Sequence, residues 1–81
     1  MPLLKPEQTV RLIKRSFSLA GHRTSVALEP EFWEALQALA GTERLLVLVA
    51  AVDAARAPGQ PLASALRVFA LRRGNHASLT F

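Results

Sequence analysis

The run Arg23-Thr24-Ser25-Val26-Ala27-Leu28 leads through Glu29-Pro30 into Glu31-Phe32-Trp33-Glu34-Ala35-Leu36-Gln37-Ala38-Leu39-Ala40. Its side-chain period changes from two to about 3.6 at the Glu-Pro pair. Thr24, Val26 and Leu28 alternate with Arg23, Ser25 and Ala27, so a strand here carries an apolar row on one face and a small or basic row on the other. From Pro30 onward, Phe32, Ala35, Leu36 and Leu39 fall at i, i+3, i+4 and i+7, the stripe of a helix lying on a core. Pro30 suits the first turn, Glu31 and Glu34 complement the positive end of the helix dipole, and Gly41 supplies a stop. Trp33 lies off that stripe, and its expected place is against a neighbouring helix or a partner chain.

Downstream, Thr42 is a candidate N-cap for a second helix, whose run Leu45-Leu46-Val47-Leu48-Val49-Ala50-Ala51-Val52 is apolar on every face. Such a helix is buried all round or spans a membrane, and spanning takes roughly 20 apolar residues, whereas Asp53 and Arg56 interrupt this one. Burial in a dimer core is the expected outcome. Ala57-Pro58-Gly59-Gln60-Pro61 breaks the chain, after which Leu62, Ala65, Leu66 and Phe69 mark a third, basic helix to about Arg73. That basic helix is expected either as a lid over the core or as a contact for a polyanion or a second protein, with residues 74–81 a loose tail.

Upstream, Ser16-Phe17-Ser18-Leu19 also alternates, and Ala20-Gly21-His22 can turn, so a hairpin within one chain competes with strand pairing between chains. Pairing between chains through residues 23–28 is preferred, with 16–19 extending that ribbon or folding over it. Residues 1–14 contain Pro2 and Pro6 and read as a short helix or a basic arm. No apolar region long enough for a secretory signal follows the basic residues.

Eighty-one residues make one domain near the lower limit for an unaided core, and the chain has no cysteine to staple it. Oligomerisation is the remaining common route to stability, and the 51% hydrophobic content agrees with a shared core. Charge is segregated: residues 1–25 carry Lys5, Arg11, Lys14, Arg15 and Arg23 against Glu7. Residues 26–60 are net acidic, and Arg67, Arg72 and Arg73 make the C-terminal part basic. Any one of these is ordinary surface charge. Their clustering at and before the strand points to a polyanionic partner.

The run Ala20-Gly21-His22-Arg23-Thr24-Ser25 through Phe32-Trp33, a short basic strand and an acidic-Pro helix start followed by a second apolar helix, resembles a ribbon-helix-helix domain of a bacterial branch. The resemblance covers about residues 15 to 57. It implies a mainly α fold with one short β-strand, built as a homodimer with an intermolecular two-stranded antiparallel ribbon and, here, an extra C-terminal helix. The expected organisation is a basic arm at 1–14, the ribbon-helix-helix domain at 15–57, and the C-terminal helix and tail at 58–81. It further implies a sequence-specific transcriptional regulator, expected as a repressor in the cytoplasm, whose ribbon enters the major groove of double-stranded DNA. Arg23, Ser25 and Ala27 would then face the bases: Arg23 can hold guanine O6 and N7, Ser25 can bond either base type, and Ala27 offers a methyl contact. Lys14 and Arg15 would hold phosphates. In the family the start of the second helix also approaches the backbone, where Glu43 would oppose a phosphate.

Enzymatic chemistry is not expected. His22 and His76 are the only histidines and lack metal-ligand spacing, so neither a metal nor a cofactor is implied. No Gly-x-Ser-x-Gly elbow, P-loop or dinucleotide glycine pattern occurs. The alternative reading keeps the fold and makes the chain an antitoxin-like or adaptor dimer that grips a second protein through Leu66, Phe69 and Arg73. A membrane partner is not expected.

Overall fold

A computed structural model describes residues 11–78, and their side chains as far as Gly74. In chain order the elements are β1 (Ile13–Leu19), β2 (His22–Leu28), α1 (Pro30–Ala40), α2 (Leu45–Ala55) and α3 (Leu62–Ser78).

The fold corrects the expectation of one short strand. β1 and β2 form an antiparallel hairpin within one chain, in register from Ile13 opposite Leu28 to Leu19 opposite His22. The turn explains why the chain pairs with itself. Ala20 and Gly21 both take positive φ, 50° and 82°, the signature of a two-residue type I′ turn whose twist matches that of the strands. Glycine bears that conformation freely, whereas alanine is strained there, so the Ala-Gly pair is a weak turn signal in the sequence. β2, expected to seek its partner in another chain, already has one edge paired along its whole length. The expected short helix or arm at 1–14 lies mostly outside the described residues; at its end, Ile13 and Lys14 belong to β1.

The turn between β2 and α1 forms as the sequence suggests. Glu29 is extended, its carbonyl accepts from the Phe32 and Trp33 N–H groups, and Pro30 stands at the first turn. Gly41 closes α1 at φ 64°, donating its N–H to the Gln37 carbonyl. The buried line of α1 differs from the predicted stripe: Trp33 and Leu36 are buried, while Leu39 is exposed. The indole Nε1 donates to the Ile13 carbonyl at 2.7 Å, and the ring lies 6.0 Å from that of Phe17. Trp33 is therefore core, and it fastens the start of β1 to α1. Its polar edge needs a partner inside the protein, which the spacing of apolar residues does not register.

The N-cap of α2 is Arg44, not Thr42, which lies in the turn between the helices. Nor is α2 buried all round within the chain: Val49 and Val52 are buried and Leu45 and Leu48 half-buried, but Leu46, Val47, Ala50, Ala51 and Ala54 form an exposed apolar stripe. Helix α3 runs on past Arg73 to Ser78, so the predicted tail at 74–78 is helical.

One core joins every element. Its four most deeply buried side chains are Leu28, Leu36, Val49 and Leu66, one each from β2, α1, α2 and α3. Leu62, Ala65 and Ala70 add to α3's share. At about 25 cal/mol per Å² of apolar area buried, removing those contacts would cost several kcal/mol. A helix with this much of the core is more than a lid over it. Its attachment is reinforced by Arg67, whose Nε donates to Glu29 at 3.0 Å and whose guanidinium sits 5.9 Å from the Phe32 ring.

Candidate nucleic-acid interface

Because residues directly opposite in an antiparallel pair share a face, the register sorts the hairpin's side chains into two sets. Ile13, Phe17, Leu19, Thr24, Val26 and Leu28 turn toward the helices, together with Arg15 and His22 at the margin. Lys14, Ser16 and Ser18 of β1 turn outward with Arg23, Ser25 and Ala27 of β2. All six are exposed except Ala27, which is half-buried.

The outward surface is small, polar and positive. Ser16 faces Ser25, and their hydroxyls lie 2.9 Å apart, so each presents its remaining hydrogen-bonding capacity outward. Lys14 stands opposite Ala27 at the open end and Arg23 opposite Ser18 near the turn. Four residues of strand rise separate those rows, placing the two cations about 13 Å apart along the ribbon. The face contains no carboxylate.

Of the residues predicted from the sequence, Arg23, Ser25, Ala27 and Lys14 are brought together here. Arg15 is not. It belongs to the opposite face, with its guanidinium 5.1 Å from the centroid of Trp33. Period two forces that separation, since adjacent strand residues point to opposite sides. Ser16 and Ser18 are members of the face that sequence reasoning missed. Their signal was the alternation Ser-Phe-Ser-Leu, which acquires meaning only once the register with β2 is known. Arg23 shares the face with a second long cation, Lys14.

Glu29, at the exit of β2, is held below the ordinary carboxylate range by a hydrogen bond from its own backbone and by Arg67. It is directed toward α3 and does not offset the charge of the outward face. Among the described residues no group of three or more His, Cys, Asp and Glu side chains is placed to hold a metal ion, and no single helix is long and apolar enough to cross a membrane.

No curated protein and no solved structure matches the chain. A family model described as the ribbon-helix-helix domain matches residues 12–73, the hairpin and most of the three helices. Members of that family are in general DNA-binding regulators rather than enzymes, and they typically bind as dimers. The match covers well over half of the chain, and the protein belongs to the ribbon-helix-helix domain family.

Proposed function

We propose that this protein is a homodimeric, sequence-specific DNA-binding regulator acting as a repressor in a bacterial cytoplasm, with the outward face of the β1–β2 hairpin as its reading surface. The observation that carries this reading is that face itself: two cations and three hydroxyls on a two-stranded ribbon with no acidic side chain among them. B-DNA's major groove, about 12 Å wide, admits a two-stranded ribbon, and Arg23 with Ser25 would supply the base contacts while Lys14 takes phosphate. Arg15, stacked on Trp33, supports the hairpin from behind. The apolar stripe of α2, with Leu46 and Val47 at its start, is the surface for a second copy. It is the kind of contiguous apolar patch that water-soluble chains cover.

An electrophoretic shift with the protein's own upstream region tests the reading. A complex that survives excess scrambled duplex is the expected result, and equal competition by scrambled and upstream duplex would refute sequence-specific binding.

One observation favours the second reading, a protein-interaction dimer working through α3. A groove of about 610 Å³ runs between α2 and α3, lined by residues that include Leu48, Ala51, Val68, Phe69 and Arg72. Its probe is the exposed Val68, which lines it, rather than Leu66, which is fully buried and whose loss would disturb the fold. A charged substitution at Val68 that abolishes function while leaving DNA affinity intact would favour this alternative.

A further inference from the structure

Resting on the DNA-binding reading, we infer that Ser16 binds a phosphate and thereby fixes Ser25 as a hydrogen-bond acceptor, so that Ser25 selects the amino group of an adenine or a cytosine. The argument starts from the strand edges. β1 occupies one edge of β2, and among the described residues no strand pairs with the other. An open edge is a template for another chain, and members of this family typically bind DNA as dimers. The base-reading side chains Arg23 and Ser25 both stand on β2, so joining through its open edge brings the readers of both copies to the middle. β1 is then the outer strand on each side.

Width then gives the two strands different places. Neighbouring strands lie about 4.8 Å apart, so a sheet ordered β1–β2–β2–β1 measures about 14 Å between its outer strand axes, against a major groove about 12 Å wide. The two central strands enter, and each β1 lies over a phosphate chain at the groove margin. Its outward row suits that position. Lys14 brings charge, while the exposed Ser16 and Ser18 are short enough to let the strand approach and carry hydroxyls that can donate to phosphate oxygens.

The direction of one proton links the phosphate to the base. The Ser16 and Ser25 hydroxyls lie 2.9 Å apart, and either can be the donor. Each hydroxyl has a single proton to give and two lone pairs to accept with. Phosphate oxygens only accept, so a Ser16 bound to phosphate directs its proton there and must accept the proton of Ser25. Ser25 is left with lone pairs alone to offer a base. In the major groove only adenine N6 and cytosine N4 present donors, whereas guanine and thymine present acceptors. A phosphate contact on β1 is thereby converted into a base preference on β2.

The test uses the full chain. A duplex is enriched from a random-sequence library, and the base pair read by Ser25 is identified as the one where Ser25→Ala loses discrimination. Single groups are then deleted from that pair in synthetic duplexes, either the exocyclic amino group or the purine N7. Wild-type affinity is expected to fall several-fold without the amino group and to hold without N7. In Ser16→Ala the amino deletion should cost little and affinity for all duplexes should be lower, whereas Ser16→Thr, which keeps the hydroxyl, should behave as the wild type. Ser16 is exposed, so neither change reaches the core. Full discrimination retained by Ser25→Ala, a loss on deleting N7 rather than the amino group, or an amino dependence unchanged in Ser16→Ala would each overturn the inference and leave sequence-specific DNA binding standing. Failure of the wild type to enrich any sequence would overturn both.

Discussion

Lys14 and Arg15 are adjacent cations with different surroundings, and the difference is measurable one residue at a time. Arg23→Ala should lose roughly 1–3 kcal/mol on the preferred site and bring specific affinity closer to non-specific affinity. Lys14→Ala should weaken all sequences about equally and lower the salt slope by about one unit. Arg15→Ala should instead alter the indole's emission and cost about 0.5–1 kcal/mol of folding stability, the range for an exposed cation–π contact. Titrations on matched and scrambled duplexes at several salt concentrations, with urea melts alongside, separate the three behaviours. Uniform loss of affinity in Arg23→Ala would mean that the ribbon does not read bases. Glu29 supplies a pH test. Its carboxyl is held below the ordinary 4.5 by its backbone hydrogen bond and by Arg67, so the unfolded chain takes up this proton first as pH falls. The stabilisation is fully present above the ordinary value and is lost as pH falls through the folded one. Urea midpoints of the wild type and Glu29→Gln should therefore converge as pH drops below about 4.5.

At the scale of elements, the hairpin depends on a turn whose residues are not the best available. Ala20 holds φ 50°, a conformation costing an L-residue about 1–2 kcal/mol that asparagine tolerates better. Ala20→Asn, which makes the preferred Asn-Gly turn, should raise stability by roughly 0.5–1 kcal/mol in urea titrations without altering DNA affinity. A lowered midpoint would contradict the turn assignment. Helix α3 makes the opposite prediction. Ending the chain at Gly59 removes Leu62, Ala65, Leu66 and Ala70 and exposes the inner sides of α1, α2 and β2. Such a truncation should lose cooperative unfolding altogether. A truncated chain that melts cooperatively would restore α3 to the role of a lid.

The molecule as a whole separates folding from assembly on one helix. Val49 is fully buried within the chain, whereas Val47, two residues earlier, is 47% exposed on the apolar stripe of α2. Val49→Glu should cost several kcal/mol, of the order of burying an unpaired charge, and abolish folding. Val47→Glu should leave the core intact and shift sedimentation from dimer to monomer, with loss of tight DNA binding because a dimer holds more DNA contacts at once than one chain does. If Val47→Glu remains dimeric, the stripe is not the dimer surface.

Short-range periodicity determined much of this protein. The alternation from Arg23 to Leu28, the start of α1 at Pro30, its stop at Gly41 and the break at residues 57–61 were all legible, because each rests on sterics and hydrogen bonds among near neighbours. The outward placement of Arg23, Ser25 and Ala27 followed from the same alternation. Only the tertiary structure decided which strand pairs with β2, since a free strand edge presents the same backbone groups to any partner. It also decided that Trp33 rather than Leu39 is buried, because the buried line of a helix is set by what packs against it. The side of the ribbon on which Arg15 stands was decided in the same way: register puts it on the face opposite Arg23, where the Trp33 ring lies within reach. Ser16 and Ser18 became part of the candidate site only through that register, because a face made by two strands is a long-range property that neither strand encodes alone.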